Sequence, residues 1–334
     1  MSGTRLHPSR GARVVARTPL LYSRGVDASL DRPAHVRAGS ALAALPDGRL
    51  AVIQDDASFL ALIAPHASGA ARDIPFPGGA PRQFDDTRGN KKHKLDLEAA
   101  FVAHDGELLV ALGSGSSALR ERVVLVDRPM TSAPSIALAE APELYARLRA
   151  DRLFSGSELN IEGAAVTGDD LLLFQRGNGA PSLVGGVSVE AVDATARIDL
   201  SSLVAHLRGA GPLPPLRGVL RWDLGAVDGH RLTFTDGAVH PRGVVALLAC
   251  AEDSPDATRD GPVSAVTIGC LDEATRAFEL GLVLDESGAP LLDKTEGLAF
   301  HSDDPTRAFA VTDRDDPTAP SELLVLRLGD AWAR

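Results

Sequence analysis

The chain has 334 residues, a formal net charge of −11, 44% hydrophobic content and only 4% aromatic residues. That much apolar material supports a sizeable core built from Leu, Val and Ala, and the length fits one large all-β domain or two ordinary ones. The acidic balance excludes an extended nucleic-acid surface as the default, and no apolar run is long enough to span a bilayer.

In chain order, Met1 to Arg17 is Arg-rich and lacks the apolar region of a secretory signal, so a cytoplasmic protein away from the membrane is expected. Five later stretches then open an apolar strand with an oxygen-bearing residue followed by Gly or Ala. They are Ser40-Ala41, Glu98-Ala99, Glu162-Gly163, Asp236-Gly237 and Glu296-Gly297. Their starts lie 58, 64, 74 and 60 residues apart. Each is followed by a polar break and a second apolar strand, beginning near Leu50, Leu108, Leu171, Val244 and Ala308. Such a period holds one four-stranded unit with loop insertions, and radial repetition of that unit is a β-propeller. The small residue suits an innermost strand, where bulky side chains would collide near the axis.

The expected fold is therefore all-β, a five-bladed β-propeller occupying residues 1–334. Blade one covers Val36 to Phe76, with Asp47-Gly48 as its hairpin turn, and blade two covers Leu97 to Leu138, with Asp105-Gly106. Blade three begins at Ile161 and continues through Val187–Val189 and Val219–Leu224. Blade four uses Thr233–Val239, Val244–Ala249, Val263–Ile268 and Phe278–Leu284. Blade five has three strands, ending at Leu328, and the apolar residues within 12–17 are expected to supply its outer strand. A six-bladed ring is the rival count, with a degenerate blade between Asp193 and Thr233. Helical inserts are expected at Glu140–Ala150 and, capped by Asp199, at Leu200–Arg208. Cys250 and Cys270 fall at opposite ends of adjacent strands, too far apart to bridge, and two free thiols suit a reducing compartment.

Second strands return to the face where inner strands begin. Their ends should therefore ring one mouth of the channel: Asp55-Asp56, Gly113–Ser116, Gln175–Asn178, Glu252-Asp253 and Asp313–Asp316. The basic run Lys91–Lys94 and the pair Asp293-Lys294 enter the same face. At the centre, Glu98, Glu162, Asp236 and Glu296 would face one another, with Ser40 completing the ring. Four carboxylates at close range need a cation or protons. Oxygen-only donors suit Ca2+, with Mg2+ or Mn2+ as alternatives, and the absence of His or Cys counts against zinc. The opposing reading is a solvated channel, or carboxylates paired with Lys294 and Arg176.

The phrase from Ser40 through Asp47-Gly48 to Asp55-Asp56 resembles the opening strand, hairpin and Asp-Asp pair of the calcium-activated nucleotidase (apyrase) family, which are five-bladed propellers with an axial calcium. The resemblance implies metal-ligand positions at Ser40, Glu98, Glu162 and Glu296 and an active-site acid at Asp55 or Asp56. Asp236 departs from the Ser expected in the fourth blade. The phrases Ile161-Glu162-Gly163 and Thr295-Glu296-Gly297-Leu298 also resemble bacterial phytase-like esterase propellers.

The function expected is a metal-dependent hydrolase acting on a small phosphorylated or otherwise anionic ester. Asp55 or Asp56 would activate water, and Lys92, Lys94, Arg176, Lys294 and Arg314 would bind the anion. A non-catalytic propeller that binds a ligand or partner around a structural cation, and a lactonase or isomerase, are the alternatives.

Overall fold

The computed structural model describes residues 4–65, 69–253 and 261–333. Its strands group into four-stranded antiparallel units. The first contains Gly39–Ala44, Leu50–Gln54, Phe59–Ile63 and Ala70–Pro75; the second Leu97–Ala103, Leu108–Gly113, Arg122–Asp127 and Ser135–Glu140. The third contains Ile161–Thr167, Asp170–Gln175, Asp193–Asp199 and Arg217–Trp222; the fourth His230–Val239, Val245–Glu252, Val263–Asp272 and Ala277–Leu284. The fifth contains Thr295–Phe300, Arg307–Thr312 and Glu322–Leu328, with Ala12–Pro19 running antiparallel beside Glu322–Leu328. The first strands of the units pack against one another in cyclic order, which makes the molecule a β-propeller.

Local chemistry accounts for the hairpins. At Asp47-Gly48 the Gly48 φ is +82°, the Arg49 carbonyl accepts from the Leu45 N–H at 2.8 Å, and the Asp47 carboxylate accepts from the Arg49 N–H at 3.1 Å. Near the axis the small residues are obligatory. A Cβ on Gly297 would lie 2.7 Å from Leu42 Cβ, and one on Gly237 only 2.1 Å from a ring carbon of Phe174. The core is divided between the units: one cluster lies between the second and third, another between the fourth and fifth. Val14, on the strand near the N-terminus, is 1% exposed in the latter.

The helix Pro142–Ala150 buries Leu144, Tyr145 and Leu148, and the Tyr145 hydroxyl donates to the Gly113 carbonyl at 2.8 Å. Helix Leu200–Leu207 is capped by Asp199, which accepts from the Ser202 N–H at 2.8 Å. Cys270 pairs in register with Ala246 and Cys250 with Val266, and both thiols are free.

The third unit differs from expectation. Val187–Val189 does not belong to it; it forms a separate hairpin with Ser182–Val184. The third strand is Asp193–Asp199, whose alternating Ala and polar residues carry little β-branched signal. The interval from Asp193 to Thr233, considered for a sixth blade, instead supplies the outer strands of the third unit and their connecting helix.

Candidate active site at the charged mouth

The inner strands share one irregularity. Pairing with the second strand skips a residue between Gly39 and Ala41, Leu97 and Ala99, Ile161 and Gly163, Phe234 and Asp236, and Thr295 and Gly297. Each skipped residue sits in a β-bulge, which turns its side chain out of the sheet's ordinary alternation. The five bulge residues are Ser40, Glu98, Glu162, Thr235 and Glu296.

This register corrects the ring in one position: Thr235, not Asp236, is the fourth member. Ser40 and Thr235 even behave alike, each donating its hydroxyl to the carbonyl that precedes the next unit's bulge: Ser40 to Leu97 at 2.5 Å, Thr235 to Thr295 at 2.9 Å. Asp236 lies one residue further along, 2% exposed, and accepts from the Gly237 and Leu298 N–H groups at 2.7 Å each. Burial pushes its carboxyl well above the usual range. It ties neighbouring inner strands together and does not line the mouth. Reading the phrase Thr235-Asp236-Gly237 from its glycine shifted the expected position by one, because the other glycine-containing phrases place Gly directly after the bulge residue.

Glu98, Glu162 and Glu296 open onto a small cavity of about 180 Å³, together with Asp55, Asp56, Asp96 and Asp313. Glu162 accepts from Asn160 at 2.6 Å and faces the Arg176 guanidinium at 3.4 Å; Arg176 also binds Glu252 at 2.5 Å and Thr233 at 3.1 Å. Lys294 lies 3.0 Å from Glu296 and 3.4 Å from Asp313. The pairings with Arg176 and Lys294 left open by the sequence are thus present. Asp56 accepts from Arg37 Nε at 2.9 Å, and Arg37 also reaches Asp85 at 3.2 Å.

A tighter cluster sits to one side. One oxygen each from Asp55, Asp96 and Glu98 lies within 4.8 Å of the others. Lys94 hydrogen-bonds Asp55 and lies 2.7 Å from Asp96, which also receives Ser114 and, at 3.1 Å, Arg120. Asp55 Oδ1 is buried and has no hydrogen-bond partner, nor has Asp56 Oδ1. Glu98 has no donor within hydrogen-bond reach among the described residues. Burial pushes Glu98 well above the usual carboxylate range, reinforced by Asp96, Asp55, Glu296 and Glu162. Burial likewise raises Asp55 against the pull of Lys94, and burial with Asp55 beside it pushes Asp56 up to about 7. Burial opposes ionisation at Asp96 too, but Lys94 and Arg120 outweigh it and hold that carboxyl low.

Tested against the residues present, an oxygen-ligated divalent cation fits the Asp55–Asp96–Glu98 cluster better than the whole axial ring. Both groups carry cationic neighbours, Lys94 and Arg120 on the cluster and Arg176 and Lys294 on the ring. Only the cluster has an orphaned buried carboxylate oxygen together with Glu98, which has no donor within reach among the described residues, while the ring hydroxyls donate to backbone carbonyls. Its donor set is that of Ca2+, Mg2+ or Mn2+.

Of the expected anion binders, Lys94, Arg176 and Lys294 reach the cavity. Lys92 does not: it is exposed on the tight turn Lys91–His93, which presents Lys91 to the mouth instead, 3.2 Å from Asp86. Arg314 is also away from the cavity, drawn off by Asp293 at 3.2 Å and Glu322 at 3.0 Å, the acids that Arg17 also binds. Asp96 and Arg37 were missed, whereas Arg120, one of the arginines expected to help the basic run hold an anion, does line the mouth. Asp96 stands between Lys94 and Glu98 in sequence, but strand alternation does not place it, because the chain is left-handed there, with φ +54°, and Glu98 lies in the bulge. Arg37 had no signal in the sequence.

Fold and site together define a β-propeller with a charged, largely buried mouth. Residues 35–328 match DUF6929, described as a family of unknown function, and the chain belongs to that family. No curated protein matches it. Among solved structures it is similar to a glutaminyl cyclase of Myxococcus xanthus (12% identity, 97% of this chain and 100% of that one, TM-score 0.49). It is also similar to the α-L-arabinofuranosidase PaAbf62A of Podospora anserina (10% identity, 96% and 97%, TM-score 0.49). A third is the PQQ-bound aldose sugar dehydrogenase of Streptomyces coelicolor (12% identity, 96% and 99%, TM-score 0.47). No helix among the described residues is long and apolar enough to cross a membrane.

Proposed function

We propose that the protein is a divalent-cation-dependent hydrolase that cleaves a small phosphorylated or otherwise anionic ester at the mouth, on the lines of apyrase-like and phytase-like propellers. The observation that carries this reading is the Asp55–Asp96–Glu98 cluster with its orphaned buried oxygen on Asp55. These three residues would hold the cation, which when bound supplies electrophilic polarisation of the ester. Asp56 is suited to take the proton of the attacking water: Arg37 fixes Oδ2, and the buried Oδ1 has no partner. Water adds to the acyl or phosphoryl centre, the bond to the leaving alkoxide oxygen breaks, and the proton held by Asp56 can pass to that oxygen. A cavity of about 180 Å³ is smaller than the several hundred Å³ of typical ligand sites, so only the anionic head of a substrate would enter.

A second reading rests on a specific observation: each basic side chain lining the mouth already contacts a carboxylate. That arrangement also suits a non-catalytic ligand-binding propeller whose cation only fastens the units. Calorimetric titration with Ca2+, Mg2+ and Mn2+, followed by assays on phosphate mono- and diesters and lactones, separates them. The hydrolase reading predicts cation binding lost in Glu98→Gln, and turnover lost in Asp56→Asn with cation binding retained. Cation binding without turnover of any ester favours the second reading, and turnover of lactones alone points to a lactonase. Wild-type turnover by Glu98→Gln would overturn the assignment.

A further inference from the structure

Six basic side chains line the mouth, and four of them hold acids outside the Asp55–Asp96–Glu98 cluster. Arg37 holds Asp56 and Asp85, Lys91 holds Asp86, Arg176 holds Glu162 and Glu252, and Lys294 holds Glu296 and Asp313. Arg120 touches Asp96 from the side shared with Ser114 and Ser116, and its bond to Ser116 is 2.7 Å. Lys94 is different. Both of its carboxylate partners, Asp55 and Asp96, belong to the cluster, and its side chain is only 10% exposed.

We infer that Lys94 is the site's built-in counter-ion, displaced by an incoming divalent cation and then turned to hold the anionic ligand, so that cation binds first and anion second. The inference rests on the cation-site reading above and adds the order of binding to it. Lys94 occupies Asp55 Oδ2 and Asp96 Oδ1, next to the orphaned Asp55 Oδ1, and an ammonium cannot stay beside a divalent ion held there, because like charges a few ångströms apart repel strongly where water is scarce. The ammonium is the mobile partner. It sits on a flexible four-carbon stem, just after the Lys91–His93 turn that presents Lys91 to the mouth. Arg120 and Ser114 remain on Asp96 after the exchange, so that carboxylate keeps its outer support. Before exchange the mouth has no cationic side chain without a carboxylate contact among the described residues; afterwards it has Lys94. Anion affinity is thereby created by the cation twice, through the ion's own charge and through the lysine it releases.

The test uses the full chain with Mn2+ and inorganic phosphate as probes. In wild type, phosphate binding is expected only when Mn2+ is present. In Lys94→Met, which keeps the stem and removes the charge, Mn2+ should bind about tenfold more tightly because its competitor is gone, while phosphate binding in the presence of Mn2+ weakens by a similar factor. Lys94→Arg, which keeps the charge, should not show the tighter Mn2+ binding. Acylation of wild-type lysines by acetic anhydride, read by peptide mass spectrometry, gives a measurement independent of whether Lys94→Met folds. Lys94 should be protected in chelator and labelled when Mn2+ is added. Mn2+ binding with unchanged or weaker affinity in Lys94→Met, or Lys94 staying protected with Mn2+ bound, overturns the exchange and leaves the cation site standing. Failure of wild type and both variants to bind Mn2+ overturns the cation site and the exchange together.

Discussion

Asp56 offers the most informative perturbation, because its carboxyl is held at about 7 by burial and by the neighbouring Asp55 instead of at its ordinary 3.8. In metal-free protein a carboxyl raised on folding favours the native state at low pH. Its contribution is full below about pH 4 and is lost as pH rises, with nothing left above about pH 7. Asn mimics the protonated acid and cannot ionise, so Asp56→Asn lacks this loss. Between pH 5 and pH 8 the wild type should lose about 2–3 kcal/mol more stability than Asp56→Asn, each pKa unit being worth about 1.4 kcal/mol. Urea unfolding of both proteins in chelator, at pH 5 and pH 8, measures the difference directly. The Arg37 contact is changed at both pH values and largely cancels in the comparison. A stability difference between the two proteins that does not move with pH would refute the burial and charge argument for Asp56.

Other consequences follow from the ring and the strand closure. Arg176→Met leaves Glu162 and Glu252 without their guanidinium and should cost about 3–5 kcal/mol in urea unfolding, as expected for breaking a buried ion pair; a loss under about 1 kcal/mol would show the charges are better solvated than the geometry implies. Gly297→Ala forces a Cβ against Leu42 and should destabilise by about 1–3 kcal/mol. Gly211→Ala, whose nearest neighbour would be Ala205 Cβ at 3.6 Å, should be close to neutral in urea unfolding of the same set of variants. Val14→Asp places an uncompensated carboxylate in the core between the strand Ala12–Pro19 and the last two units; a loss of about 3 kcal/mol or more is expected, with chemical unfolding as the check.

Much of the architecture was legible because its causes are local. The hairpin turns at Asp47-Gly48 and Asp105-Gly106 announce themselves, and the small residues beside the ring positions reflect crowding at the axis that no side chain can relieve. The strand Asp193–Asp199 was hidden, since its apolar side is only Ala194, Ala196 and Ile198, and its place is fixed by pairing with Asp170–Gln175 and Arg217–Trp222. Within the site, Glu98, Glu162 and Glu296 could be read from their repeated phrases. Thr235 could not, because the bulge register, not the glycine, defines the equivalent position. Charge alone did not separate Lys91 from Lys92 or place Arg314. Those assignments depend on a single tight turn and on competition from Asp293 and Glu322, which are tertiary facts.

The central claim is that Asp55, Asp96 and Glu98 hold a divalent cation at the propeller's mouth, and a crystal grown with Mn2+ and measured at the manganese edge tests it directly. The account predicts an anomalous peak roughly 2.0–2.6 Å from Asp55 Oδ1 and a Glu98 carboxylate oxygen, with Lys94 moved away from Asp55. A peak among Glu98, Glu162 and Glu296 on the axis, or no peak at the mouth, would contradict it.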